Sequence, residues 1–420
     1  MTTQMTPEAG LSQVEKPGLL KRPLWILSGQ VGVIVAVFIG FGARAGAKPK
    51  LTALLLLVCL LGLIGFGPLR RVNRIVISAP VVAITAWWMA SYLWTFNTFG
   101  WWTDTQLVMP FVVACVVLVG LLPKEALRAA LLAGCYLAIA YTVLEIAIHP
   151  GRATANPDGV PGWRGGFIHK NSMGPFMVFA VLVMASFDRP SMRRTLAILT
   201  ASGLVVASQS TTALGAGLVT LLVYTFLRRL AASTRPARAS LVVGALGVVI
   251  LLSALSSSIF STILGLSGKD ATLTGRTDIW DGVWQAVEQR PWQGYGAGGV
   301  WGNPSVDPAR SIMRSLGFTV FHSHNGFLEI MLLLGFVGLG LYVWLMGSTI
   351  RLGLANLRED TPVAVFGICY VVLVVVASLS EVVVFGIWLG VLCAIHCLML
   401  RMDSHRRLAL ARTGVRAQDL

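Results

Sequence analysis

Asn325–Gly347 reads NGFLEIMLLLGFVGLGLYVWLMG, and this stretch decides the class of fold. Its one charged side chain is Glu329, and the eighteen residues that follow carry no charge. A run of that length and apolarity is a membrane-crossing helix, because ~20 apolar residues at helical rise span the hydrocarbon core. A bilayer offers no water to satisfy backbone N–H and C=O groups, so such a run must bond within itself. The remainder of the chain repeats the pattern. Spans are expected near 24–43, 51–67, 76–95, 105–122, 128–148, 172–187, 195–208, 212–227, 240–263, 325–347, 363–379 and 382–400. The composition agrees: of 420 residues, 55% are hydrophobic and 12% charged, with a mean hydropathy of +0.75. Soluble domains carry roughly 25% charged residues, too many for a chain like this one to resemble. The alternating pattern of an outer-membrane barrel is absent. The expected fold class is all-α: a polytopic integral membrane protein of about twelve helices.

The net charge of +15 is first a topology signal. With the N-terminus inside, 22 of the 33 Lys and Arg fall on inner segments and 11 on outer ones, as the positive-inside rule requires. With acids counted, the inner face carries +14 and the outer +1. The basic residues are not interleaved with aromatics on polar segments, so no nucleic-acid partner is expected. Three regions follow: a cytoplasmic tail over 1–23, a transmembrane domain over 24–400 and a cytoplasmic tail over 401–420. Lys21-Arg22, the apolar run and Ala43-Arg44-Ala45 also imitate a signal peptide, but the run is longer than an ordinary h-region. All six cysteines fall in expected spans, which implies no disulfide framework. Cys393, His396 and Cys397 share a helix face, where packing explains them better than a metal.

Two outer segments are long, about 149–171 and about 264–324, and loops of that size in a compact protein are commonly functional. In the longer one, Gly275-Arg276-Thr277-Asp278 opens a stretch to Gln289 that reads as an interfacial helix with Ile279, Val283, Ala286 and Val287 on one face. Three clusters stand on the outer side. Trp163-Arg164-Gly165-Gly166-Phe167-Ile168-His169-Lys170-Asn171 leads into the sixth span, Arg276 opens the interfacial helix, and Phe321-His322-Ser323-His324-Asn325 leads into the tenth span. A polar hairpin, Ser208-Gln209-Ser210-Thr211-Thr212, shares their level. Arg276 and Arg164 are planar forks suited to phosphate oxygens, and Lys170 adds a point charge. His324 lies at a helix N-terminus, where the dipole disfavours the imidazolium; a neutral imidazole there suits a general base. His322, His169, Asn171, Asn325 and Glu329 are the supporting candidates. Taken singly, each has a plainer reading: outer arginines contact lipid headgroups, loop histidines cap helices, and Asp278 and Asp281 complement a helix dipole. Glu145 and Glu381 sit near outer span ends, within reach of water. The functional reading rests on the convergence of these groups on one face.

At these residues the chain resembles the bacterial O-antigen ligase and polymerase superfamily, which includes the exopolysaccharide polymerases. His324-Asn325, nine residues, Gly335, two residues and Gly338 match its C-terminal signature. The run from Arg164 to Asn171 is similar to its Arg-x-x-Gly-x-Phe-x-His-x-Asn segment, with one residue fewer between Arg and Phe. Gly275-Arg276-x-x-x-Trp280 and Pro291-x-x-Gly294-x-Gly296 also resemble the family pattern.

The resemblance implies a metal-independent inverting glycosyltransferase of the membrane-embedded GT-C type. Its donor would be a glycan on undecaprenyl diphosphate and its acceptor a glycan hydroxyl or the lipid A core, on the periplasmic face of the inner membrane. His324 would be the catalytic base, and Arg276, Arg164 and Lys170 would hold the diphosphate. No cofactor is expected; membrane lipids and other polysaccharide assembly proteins are the further partners. His169-Lys170-Asn171 looks more like the polymerase branch than the ligase branch. A transporter of lipid-linked oligosaccharides is the rival from another class. It calls for charges at mid-membrane, and the one Lys or Arg within the expected spans is Arg128, at the very end of its span.

Overall fold

Apolar runs become helices here, and polar residues at their starts set where each begins. The computed structural model describes residues 24–40, 57–59, 61–62, 76, 78–156, 159–234, 276–301 and 305–413. The expected spans at 51–67 and 240–263 lie largely or wholly outside these residues, as do Gly275 and the first 23 residues. The helices, in chain order, are α1 (Leu24–Gly40), α2 (Ala79–Ala90), α3 (Thr98–Leu121), α4 (Lys124–Ile148), α5 (Lys170–Phe187) and α6 (Met192–Ala207). They continue with α7 (Thr211–Ala232), α8 (Arg276–Gln289), α9 (Ala309–Leu316), α10 (Gly326–Ala355), α11 (Thr361–Ser378) and α12 (Ile387–Thr413). No strand occurs among the described residues, so the protein is all-helical and polytopic.

Seven helices are long and apolar enough to cross a membrane: α3, α4, α5, α7, α10, α11 and α12, the last over Ile387–Ser404. α1 and α2 are apolar but shorter. α6, over the expected seventh span, has only 16 residues and does not reach that standard. α4 starts at Lys124 rather than 128, so Lys124 and Arg128 occupy its first two turns. α12 begins at Ile387 rather than 382, because Leu379–Gly386 makes a turn. It then continues as helix through Thr413, past the boundary at 400 where a tail was expected.

α11 is the centre of the bundle. It packs on α5, α7, α10 and α12, and 13 of its 18 residues are buried. Rings of Phe179, Phe366, Tyr370 and Trp388 meet there at centroid separations of 5.9–6.4 Å, in tilted, edge-on and stacked arrangements. α8 covers the expected helix from Arg276 to its end at Gln289, and its buried residues are the expected Ile279, Val283, Ala286 and Val287.

α10 is broken at Gly335, whose φ of 69° lies outside helical space. The break frees backbone groups that must find partners, and the segment 291–296 supplies them. Tyr295 and Gly296 donate their N–H groups to the carbonyls of Leu332 and Leu333 at 2.9 and 2.8 Å. Beyond the break, Phe336 and Val337 donate to the carbonyls of Pro291 and Trp292 at 2.7 and 3.2 Å. The Trp87 indole of α2 donates to Leu334 at 2.9 Å. A Cβ on Gly335 would lie 2.1 Å from the Trp292 carbonyl oxygen, so only glycine permits this contact.

Candidate active site

Helix starts gather at one end of the bundle. His169 caps α5, with its Nδ1 accepting from Asn171 N–H at 3.2 Å. Ser210 caps α7. Asn325 caps α10, its Oδ1 accepting from the N–H groups of Phe327 and Leu328 at 2.9 and 3.1 Å. Arg276 is the first residue of α8. The polar residues singled out in the sequence are therefore helix caps as well as site candidates, and the N-terminal ends of four helices carry them. A helix N-terminus presents unpaired N–H groups and partial positive charge.

These ends converge on Glu381, in the turn after α11. Arg276 donates through Nη2 to Glu381 Oε1 at 2.8 Å and through Nη1 to the Ser380 carbonyl at 2.5 Å. Asn171 Nδ2 donates to the same Oε1 at 2.5 Å. His324 Nδ1 stands 3.8 Å from Oε2, beyond hydrogen-bond length yet within reach of its charge. Thr212 at the start of α7 shares a 2.5 Å hydrogen bond with Ser380. Glu381 is 6% exposed. Burial alone would raise its pKa, but the neighbouring His324 and the Arg276 guanidinium hold it below the usual carboxylate range. In the sequence Glu381 reads only as an acid near an outer span end, within reach of water and outside the site candidates; packing buries it instead. The only signal available was an acid between two spans at the level of the other clusters; nothing local links it to Arg276, 105 residues earlier.

His324 has a φ of 51°, the left-handed region. Side chains other than glycine are uncommon there, and such conformations concentrate at functional positions. Around it the loop is rigidly held. Glu329 is buried and spends both oxygens, one on the Ser323 N–H at 2.8 Å and one on the Trp301 indole at 2.7 Å. Trp280 of α8 donates to the Ser323 carbonyl at 3.0 Å. Glu329 is thus a clamp on the loop that carries His324. His322 packs its ring on His324 at 4.0 Å between centroids, and its Nδ1 accepts from the His324 N–H at 3.3 Å. Burial, then the charge on His324, pushes the His322 pKa down to about 4. His322 is therefore neutral at physiological pH and serves as an acceptor for the backbone.

The structure gives Arg164 and Lys170 other engagements. Arg164 Nε donates to the carbonyls of Arg152 and Ala155 at 3.0 and 2.6 Å, and Nη1 to those of Phe167 and Ile168 at 3.2 and 3.3 Å. Lys170 is buried, with its ammonium on the Pro161 carbonyl at 2.7 Å. Both order the 152–170 loop that precedes α5. His324, Arg276, Asn171 and His322 are brought together around Glu381; Arg164 and Lys170 shape the neighbouring wall. His396 Nδ1 lies 3.1 Å from the Thr349 hydroxyl, tying α12 to α10.

Residues 196–343 match the family model described as O-antigen ligase. No curated protein matches the chain. The matched segment runs from α6 into α10 and includes Arg276, His324, Asn325 and Gly335, three of which the geometry places at or beside the Glu381 cluster. That match, about a third of the chain, together with an all-helical polytopic fold, makes residues 196–343 similar to the O-antigen ligase family.

Proposed function

We propose that the protein is a metal-independent, inverting glycosyltransferase that moves a glycan from undecaprenyl diphosphate to an acceptor sugar hydroxyl. The reaction takes place on the periplasmic side of the inner membrane, with both chain termini cytoplasmic. The convergence of Arg276, Asn171 and His324 on Glu381, at the N-terminal ends of three helices, supports this reading. A leaving diphosphate needs cations and oriented N–H donors where its charge develops, and an acceptor hydroxyl needs a base beside it. His324 Nδ1 faces Glu381, which leaves Nε2 for the acceptor. As Nε2 takes the hydroxyl proton, the oxygen attacks the anomeric carbon and the bond from that carbon to phosphate oxygen breaks. One displacement inverts the centre, by the stereochemical logic that separates single from double displacement in glycosidases. Undecaprenyl diphosphate leaves, its charge facing Arg276. Glu381 stabilises the imidazolium, as the acid of a catalytic triad does.

His169-Lys170-Asn171 favours a surface-polysaccharide polymerase over a ligase to lipid A core. Purified protein given lipid-linked repeat units alone separates the two. A ladder of longer glycans is the expected product. Product only after lipid A core is added makes the protein a ligase, and no product in either case overturns the reading.

A further inference from the structure

α11 has two functional ends. Glu381 lies just past its C-terminus, and Asp360 caps its N-terminus. Eighteen residues of helix put these ends about 27 Å apart. At the Asp360 end, a cavity of about 100 Å³ lies between α1, α3, α4, α5, α11 and α12. Its wall is apolar throughout, with Val37, Leu118, Phe366 and Ala394 among the lining residues, apart from two cations, Lys124 and Arg128. No acid lines it. Lys124 and Arg128 both pair with Asp360, the latter at 3.2 Å, and both side chains remain 34% exposed. The Arg128 guanidinium lies 5.5 Å over the Phe187 ring. Its Nε is buried and has no hydrogen-bond partner among the described residues. A buried polar atom left unpaired is costly, and in a native structure it asks for an acceptor.

We propose that this cavity seats an anionic membrane phospholipid, with part of one acyl chain in the apolar space and the phosphate on Lys124 and Arg128. The charge at this end selects the ligand: Lys124 and Arg128 share a single carboxylate, Asp360, which leaves a net positive charge, and both side chains stay 34% exposed, open to a phosphate. The apolar wall suits a hydrocarbon chain and cannot satisfy a sugar. By the charge partition of the loops, this end faces the cytoplasmic leaflet, where anionic lipids and basic residues attract one another. α1 contributes Val33, Ala36 and Val37 to the wall, so the bound lipid ties α1 to the rest of the bundle. The site is separate from the Glu381 cluster and does not depend on the reaction assigned to it.

The full-length protein, purified in detergent, tests this by native mass spectrometry and thermal unfolding against added phosphatidylglycerol or phosphatidylcholine. Phosphatidylglycerol should bind and raise the Tm where phosphatidylcholine does not. Arg128→Gln removes the charge, and Ala394→Leu fills the cavity while leaving both cations. Each should weaken phosphatidylglycerol binding by about tenfold, the loss of one good charge-assisted contact or of the chain seat. Equal responses to the two lipids overturn the proposal, as does phosphatidylglycerol binding that both variants leave unchanged. Displacement of the bound phosphatidylglycerol by undecaprenyl phosphate at equal concentration also overturns it, since the seat would then belong to the isoprenoid.

Discussion

At the scale of single residues, Glu381 organises the site. It gathers a guanidinium, a carboxamide and an imidazole from three helix starts onto one buried carboxylate. His324→Ala should reduce glycan transfer by about 10²-fold or more, the usual contribution of a positioned base, with membrane insertion unchanged on fractionation. Full activity of that variant on a lipid-linked oligosaccharide sinks the mechanism. Glu381→Gln keeps the shape and removes the charge. It should lower kcat more than it raises KM, because the imidazolium exists only as the reaction proceeds. The sign of its pH dependence follows from its depressed pKa. The stabilisation is present above the ordinary carboxylate range and is lost as pH falls through the lowered folded value. Thermal unfolding of the native protein should therefore weaken on the acid side, and Glu381→Gln should flatten that limb. His324 and Arg276 were legible in the sequence as residue types in a motif. Glu381 was not, because its partners lie 57 to 210 residues away along the chain.

At the scale of elements, the break in α10 is what lets the 291–296 segment pair with a helix inside the bundle. The signature that this stretch resembles has a glycine at 335 and a small residue or Tyr at 338, and the structure supplies the reason for the first: the 291–296 segment enters α10 at that point and pairs with its freed backbone. Irregular backbone at membrane depth is tolerated only where protein surrounds it. Gly335→Ala combines left-handed strain of about 1–3 kcal/mol with a 2.1 Å approach to the Trp292 carbonyl oxygen. Its expected outcome is a clear fall in Tm and in folded yield. Trp87→Phe is milder. It leaves the Leu334 carbonyl without its indole donor and should cost about 1 kcal/mol, read as a small drop in Tm at undiminished yield. The interfacial helix α8 was legible from its 3.6-residue apolar period, which depends only on neighbours one turn away. The break was not, because a glycine inside an apolar run is common in membrane helices and says nothing of what approaches it.

For the whole molecule, the charge partition predicts an orientation. Arg310 is exposed at the start of α9, and Glu125 is exposed at the start of α4. All six native cysteines are buried, so single introduced cysteines give a low-background assay. Arg310→Cys should react with a membrane-impermeant maleimide in intact spheroplasts, and Glu125→Cys only after permeabilisation. The reverse pattern would invert the topology and place the site in the cytoplasm. Hydropathy alone determined that this chain is helical and membrane-embedded, because in a bilayer each helix must satisfy its backbone within itself, whatever its neighbours. Charge counts and helix-start residues likewise act locally and can be read without a fold. Which helix ends meet, which arginines are spent on carbonyls, and where a cavity lies beside two cations were decided only by tertiary packing. Those outcomes rest on contacts between residues far apart in sequence, and no local pattern encodes them.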